Sequence, residues 1–348
     1  YKLVLVGVGG WASRRNRTEG DFFLASQGLG AWVAGLSYAA STSSAWVLLG
    51  FSGFVYANGL SALWMVPGIW GGYVAVWLFF GRRLRAETAE RGHVTPTDFL
   101  TAGLADRSRA LIGILASVFI LFCFIFYIAA QFGAAAAAFE TQFGLGITES
   151  VLIGAAIVLL YSLLGGFWAV SVTDMLQGAL MAAVAVALPV TALIAAGGFG
   201  GIADALSATA PEGYLDITGG QAGFVLIGFV LGVWGVGVNA MGQPQLISRL
   251  MAVKDEGARM RGFTIAIVWA IAVFTGMTIL GLAGRAIVGG AADGEALFYT
   301  LADQLLPPVL AGLVIAAVLS AVMSTVDSIL LSASAAAVVI IWSSWFFT

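Results

Sequence analysis

Long apolar stretches separated by short polar segments make up most of this chain, and they predict nine membrane-spanning helices. A helix that crosses a bilayer needs roughly 20 apolar residues. The first stretch is shorter than that, and apolar sequence continues to residue 348, so we expect an internal piece of a longer protein. The predicted spans are 1–13, 30–59, 60–81, 110–138, 149–169, 173–197, 220–243, 262–286 and 309–337.

The composition indicates the same class of protein. Of 348 residues, 60% are hydrophobic and 9% are charged, and the mean hydropathy is +1.00. Soluble domains carry about 25% charged residues. We therefore predict an all-α polytopic membrane protein that is solvated mainly by the lipid bilayer. The arginine-rich segment 81–99 is interpreted as a loop, so no nucleic-acid partner is expected.

The charged residues predict an orientation. With nine spans, three basic loops fall on one side of the membrane, and acidic loops fall on the other. Basic loops favour the cytoplasm, which predicts a plasma (inner) membrane protein with its N-terminus outside. The basic residues of the three loops are Arg14, Arg15 and Arg17; Arg82, Arg83, Arg85, Arg91, Arg107 and Arg109; and Arg249, Lys254, Arg259 and Arg261.

The second span, 30–59, carries four consecutive hydroxyl side chains near its middle, at positions 41–44. As one helix it would be about 45 Å long at 1.5 Å per residue, whereas the hydrocarbon core is roughly 30 Å thick. We therefore expect it to tilt, protrude or break. A break at the hydroxyl cluster would free backbone carbonyls, which the membrane interior tolerates only where they line a cavity. Carbonyl and hydroxyl oxygens are ligands that hard cations prefer.

The seventh span, 220–243, contains six glycines after residue 222 and is followed by Pro244. These glycines predict a second interrupted helix, five spans after the first. Interrupted helices in matching positions of two halves are typical of inverted-repeat transporters. The alternative is that small residues simply allow close helix packing.

The ninth span places a stripe of small and hydroxyl residues beside a carboxylate. An intramembrane carboxylate such as Asp327 is a functional-site hypothesis by default, and the alternative is a structural carboxylate bonded to neighbouring serines. A second carboxylate, Asp174, begins the sixth span, where it could cap a helix or lie on an ion exit path. The stripe falls on one helix face by its spacing and consists of Ala321, Ser324, Thr325 and Ser328.

Several long motifs resemble those of the sodium:solute symporter family, closest to its sodium/proline symporter branch. They include ASTSSAWVLLG (40–50), YSLLGGFWAVSVTDMLQGALM (161–181), MGQPQLISRLMA (241–252) and LSAVMSTVDSILL (319–331). The resemblance implies an inverted five-helix-repeat, leucine-transporter-type fold. It implies a single transmembrane domain over 1–348, with an extra N-terminal helix at 1–13 and a first repeat over 30–197. The second repeat, 220–348, is expected to lack its last two core helices.

The resemblance also implies which residues bind the ion and the solute. Sodium is expected at the carbonyls of Ala40, Ser43 and Ala321 and the hydroxyls of Ser324 and Thr325. A second sodium or an exit path would use Asp174, Ser328 and Asp327. The solute is expected at Ser44, Ala45, Trp46 and Tyr127, together with Trp234. Around Trp234 the sequence is two residues out of step with the proline branch, so its role could pass to Asn239 or Ala240.

These features favour sodium-coupled secondary active symport of a small organic solute, such as the amino acid proline. Symport of a different solute is one alternative, and the sensor domain of a membrane histidine kinase is another. An intramembrane enzyme is disfavoured because the chain has one His, outside the predicted spans, one Cys and no HExxH motif. We expect no cofactor, with sodium serving as the coupling ion.

Overall fold

The computed structural model describes residues 18–144, 146–290 and 293–344, together with residues 7, 8, 10 and 11. Apart from an isolated bridge between Leu29 and Val253, the regular structure of these residues is helical. The first helices are α1 (Glu19–Leu24), α2 (Ala31–Trp46), α3 (Ser52–Asn58), α4 (Met65–Val74), α5 (Gly81–Arg91), α6 (Pro96–Leu100), α7 (Asp106–Phe143) and α8 (Ile147–Ala195). They are followed by α9 (Gly198–Thr209), α10 (Gly223–Asn239), α11 (Pro244–Met251), α12 (Glu256–Val288), α13 (Leu297–Leu305) and α14 (Pro308–Ser344).

The predicted spans match these helices closely. Eight of the nine fall on described helical segments, and most of the first span, 1–13, lies outside the described residues. Among the described residues, six helical stretches are long and apolar enough to cross a membrane. One of them, 31–91, holds two predicted spans, which are separated where Gly59 adopts φ +63° and ψ −140°.

The break predicted in the second span is confirmed. Within α2, Ser44 adopts φ +48° and ψ −179°, which is not a helical conformation. A non-glycine residue with positive φ is uncommon and is held in place only by its surroundings. The Ser44 hydroxyl compensates locally, because it accepts the Trp46 N–H at 3.2 Å. The helix then continues through a π-helical turn, Val47–Phe51, into α3.

The seventh span is interrupted at the last of the six glycines, Gly242, and not at the earlier ones. Helix α10 runs continuously from Gly223 through Gly237, and the interruption is a 3₁₀ turn, Ala240–Gly242, followed by extended backbone at Gln243. Pro244 then opens α11, where the missing N–H of a proline is tolerated. Gly237 allows a close approach to α4, because an added Cβ would overlap with the Gly68 carbonyl oxygen.

The predicted fifth and sixth spans form one long helical run, α8. The prediction ended the fifth span at residue 169, but the run is bent at Gly166, which has φ +57° and ψ −156°. Only glycine adopts such a conformation readily. Asp174 therefore lies well inside a helix, and the interpretation of this residue as a helix cap is wrong.

The core of the bundle lies where α2, α8, α12 and α14 meet. In α14, two thirds of the most apolar window (67%) is buried, compared with 11% in α10. Helix α14 packs against α7, α8 and α2, and α12 packs against α2 and α8. The broken region of α2 is therefore enclosed by protein rather than lipid, which is the condition under which freed backbone groups are tolerated at membrane depth.

Candidate functional site

An oxygen cluster joins α2 to α14, and four of the five predicted sodium ligands meet in it. The Ser324 hydroxyl donates to the carbonyl of Ala321 at 3.1 Å and lies 3.4 Å from the carbonyl of Ala40. The Thr325 hydroxyl donates to Ala321 at 3.0 Å. All four residues are fully buried. The fifth residue, Ser43, is buried on α2, where its hydroxyl donates to Ala39 at 2.7 Å and its carbonyl accepts the Val47 N–H.

A second polar cluster surrounds Asp174. Its Oδ2 atom accepts hydrogen bonds from the hydroxyls of Ser37 and Ser41, each at 3.1 Å, and from Ser328 at 3.3 Å. The Ser328 hydroxyl is also 3.2 Å from Asp327 Oδ1, and both carboxylates are fully buried. The structure therefore brings together Asp174, Ser328 and Asp327, which the sequence grouped as a second sodium site or an exit path.

The positive charge of this second cluster comes from Arg249, which the sequence analysis assigned to a cytoplasmic loop. That assignment is wrong, because Arg249 lies in α11, is fully buried and forms an ion pair with Asp174 Oδ2. A signal was present in the sequence: all residues from Leu246 to Val253 other than Ser248 and Arg249 are apolar, whereas charged residues follow from residue 254. A solvated loop arginine rarely has such neighbours.

A cavity of about 330 Å³ opens beside the break in α2. That volume is within the range of small-molecule sites, about 300–1,000 Å³. Four predicted solute residues line it: Ser44, Trp46, Tyr127 and Asn239, and so does the alternative residue Ala240. Ala45 and Trp234 are not among its lining residues. Ala45 is buried, while the backbone of Trp234 packs against Gly68 and its side chain is 39% exposed.

The cavity lining also includes polar side chains that were not predicted from the sequence, among them Tyr73, Gln131 and Gln243. Gln131 supports the break directly, because its Oε1 accepts the Ala45 N–H at 3.4 Å, although 86 residues separate the two. A glutamine within the apolar span 110–138 was the available signal. The cavity thus combines aromatic walls with a few polar atoms, which is typical of sites for small polar molecules.

A helical membrane bundle in which one broken helix contributes to both a buried oxygen cluster and a solute-sized cavity defines a secondary transporter. The chain belongs to the sodium:solute symporter family, whose model matches residues 22–345. Together with its spanning helices, this membership makes it a multi-pass membrane protein that carries out sodium-coupled symport.

The chain is similar to several bacterial proteins over almost its whole length. It is 34% identical to the sodium/proline symporter of Escherichia coli, over 97% of this chain and 67% of the relative. It is 32% identical to the osmoregulated proline transporter OpuE of Bacillus subtilis, over 99% of this chain and 70% of the relative. It is 31% identical to the high-affinity proline transporter PutP of Bacillus subtilis, over 97% and 72%.

Solved structures establish the fold. A Na⁺-coupled sialic acid symporter, solved in a substrate-bound outward-open state, superimposes with a TM-score of 0.83 at 17% identity, over 99% of this chain and 79% of that one. A nucleobase-cation-symport-1 family transporter in a closed conformation gives a TM-score of 0.60 at 15% identity, over 93% and 73%. The predicted leucine-transporter-type fold is confirmed, while the repeat boundaries stay a prediction.

Proposed function

We propose that this protein uses a sodium gradient to carry proline, or a closely related amino acid, into the cell. The observation that carries the proposal is the break in α2 at Ser44, which lies between the oxygen cluster on one side and the cavity on the other. The names of the bacterial relatives, sodium/proline symporter and proline transporter, support this choice of solute.

Sodium would bind the carbonyls of Ala40, Ser43 and Ala321 and the hydroxyls of Ser324 and Thr325. The contact between the Ser324 hydroxyl and the Ala40 carbonyl supports this, because it places oxygens of α2 and α14 at 3.4 Å. A cation among these oxygens would replace weak neutral hydrogen bonds with stronger ion–oxygen contacts. Binding would therefore hold α2 against α14 and fix the backbone at the break.

The solute would lie in the cavity beside Trp46 and Tyr127, whose rings offer apolar contact to the ring of proline. Backbone groups near the Ser44 break and the amide of Gln131 would meet its charged ends. Ala45 and Trp234 would support the cavity wall without touching the solute, and Asn239 would contact the solute in place of Trp234. Because sodium orders the break, solute affinity would depend on sodium.

The arginine-rich face, defined as the side of the bundle that carries Arg82, Arg83, Arg85, Arg91 and Arg261, would be cytoplasmic, with the N-terminus outside. Alternating access would proceed by rocking of one group of helices against the other around the fixed sites. No covalent chemistry is required, and sodium supplies the driving force.

The proposal is tested by uptake of labelled proline into proteoliposomes that contain the full-length parent protein. We expect accumulation above equilibrium with an inward sodium gradient, and none with potassium in place of sodium. Absence of uptake by protein that remains monodisperse would reject proline, and a screen of other amino acids would follow. Uptake that does not depend on sodium would contradict the coupling.

Trp46→Ala is expected to lower solute affinity at least tenfold while sodium binding remains detectable. Its indole lines the cavity and is in ring contact with Phe51, with ring centroids 6.1 Å apart. Its removal takes away aromatic contact area, and a tenfold loss corresponds to about 1.4 kcal/mol. Isothermal titration of purified protein with each ligand measures both affinities.

Trp32→Ala is the matched control, because Trp32 lies on the same helix but is 67% exposed on the outside of the bundle. It should leave both affinities unchanged. An equal loss of sodium and solute binding in Trp46→Ala would indicate a damaged fold and would remove Trp46 from the solute site.

A further inference from the structure

The most deeply buried charge pair among the described residues is the one between Arg249 and Asp174, and both side chains have no exposed surface. Every nitrogen of the guanidinium has a partner. Nε donates to the Ser37 hydroxyl at 2.7 Å, Nη1 donates to the Gln245 carbonyl at 2.5 Å, and Nη2 donates to Asp174 and, at 2.6 Å, to Ser328. A buried guanidinium requires partners of this kind, because it has lost its hydration. This arrangement is therefore specific to one packing of the helices.

The pair connects parts of the molecule that the transport cycle must move. Arg249 is in the last turn of α11, which follows the interruption at 240–243, whereas its side-chain partners lie on α2, α8 and α14. Just beyond α11, the carbonyls of Val253 and Lys254 accept hydrogen bonds from Arg85. The pair therefore lies between the arginine-rich face and the oxygen cluster.

The two clusters are in direct contact through Ser41. Its hydroxyl is 3.1 Å from Asp174 Oδ2 and 3.3 Å from the carbonyl of Ser324, the residue that reaches Ala40. A change in the position of α11 would therefore alter the hydrogen bonds that Ser41 makes to the oxygen cluster. Asp174 Oδ1 has no hydrogen-bond partner among the described residues, so the carboxylate keeps one oxygen for a different partner when Arg249 leaves.

We propose that Arg249 and Asp174 form an inner latch that closes the ion and solute sites toward the arginine-rich face. In this conformation, the Arg249 guanidinium is the counter-ion of the Asp174 carboxylate. A sodium ion at the same carboxylate would meet a like charge at close range. Opening toward the arginine-rich face requires α11 to carry Arg249 away from Asp174. The inference rests on the proposed function, since a latch matters only to a protein that alternates its access.

The test measures access to the cavity rather than transport. Cys123, the one cysteine of the chain, is exposed and is replaced by serine, and Ala240 in the cavity wall is replaced by cysteine in the full-length parent. A membrane-impermeant maleimide is then applied to inverted vesicles and, separately, to intact cells. We expect Arg249→Gln and Asp174→Asn each to raise the labelling rate from the arginine-rich face at least fivefold, with no rise from the opposite face.

Two further variants separate a latch from damage to the fold. The double variant Arg249→Gln/Asp174→Asn leaves neither charge unpaired, and we expect it to keep the fast labelling from the arginine-rich face. Arg261→Gln removes an exposed arginine on the same side and should label like the parent. Equal increases from both faces, or a double variant that labels like the parent, would overturn the latch.

Because this assay requires neither sodium nor solute, it separates the two proposals. A failed proline uptake test with one-sided labelling would reject the solute and retain the latch. Sodium-driven uptake with unchanged labelling would reject the latch and retain the transporter.

Discussion

Thr325→Ala is expected to raise the sodium concentration for half-maximal uptake at least tenfold, with little change in solute affinity at saturating sodium. The variant removes one of the two proposed hydroxyl ligands from a buried site and leaves its backbone intact, because the Thr325 hydroxyl donates within its own helix, to Ala321. A tenfold change corresponds to about 1.4 kcal/mol. The measurement is initial proline uptake as a function of sodium concentration, followed by proline titration at the highest sodium concentration.

Thr278→Ala is the control for this change. The Thr278 hydroxyl makes the same kind of bond, to the Phe274 carbonyl one turn earlier at 2.8 Å, but it lies on α12 and outside both clusters. It should leave the sodium dependence unchanged. If Thr325→Ala behaves like Thr278→Ala, Thr325 does not bind sodium. If solute affinity falls just as far at saturating sodium, the hydroxyl serves the fold or the cavity instead.

Gly237→Ala is expected to lower the stability of the protein by about 3 kcal/mol, the upper end of the usual cost of overpacking. The added Cβ would overlap with the Gly68 carbonyl oxygen, whereas real Cβ atoms essentially never lie closer than 3.0 Å to a non-bonded atom. The Cβ is fixed to the backbone of α10 and the oxygen belongs to the backbone of α4, so neither can rotate away and the two helices must separate. Since Gly237 also lines the cavity, proline affinity should fall with stability.

The same helix supplies a control for this variant. Gly232→Ala adds the same methyl group to α10, at a position with no other atom within 4 Å. It should therefore leave stability and uptake near those of the parent. Thermal unfolding in detergent, followed by size-exclusion chromatography, compares the two variants. Equal melting temperatures would show that α10 and α4 are not in tight contact.

The break in α2 could be predicted because its cause is local. A span too long for the bilayer, with four adjacent hydroxyls at its centre, has few ways to satisfy its backbone, and the break falls at the last of these hydroxyls, Ser44. The grouping of Ala321, Ser324, Thr325 and Ser328 was predictable for a similar reason, since helical spacing alone places them on one face. The structure adds that Ala40 of α2 lies against that face.

The position of the second interruption could not be predicted in the same way. Glycine weakens an isolated helix, yet only the last of the six glycines, Gly242, lies in the interruption, and Gly237 remains helical and allows contact with Gly68 on α4. Packing against a partner helix outweighed intrinsic propensity. The same limitation applies to Asp174, whose position within α8 depends on where a long helix bends rather than on its flanking residues.

The resemblance assigned Ala40 and Ser43 to the oxygen cluster, and the sequence by itself determined the class of protein, most of its spanning helices, the broken helix and the stripe on α14. Each of these follows from the transfer of apolar side chains into lipid or from the satisfaction of backbone groups nearby in the chain. Only the tertiary structure decided that Gln131 supports the break from 86 residues away and that Arg249 is paired with Asp174 across 75 residues. A charged residue near a predicted loop can be solvated or buried. Only the surrounding helices supply the partners that compensate a buried charge for its lost hydration.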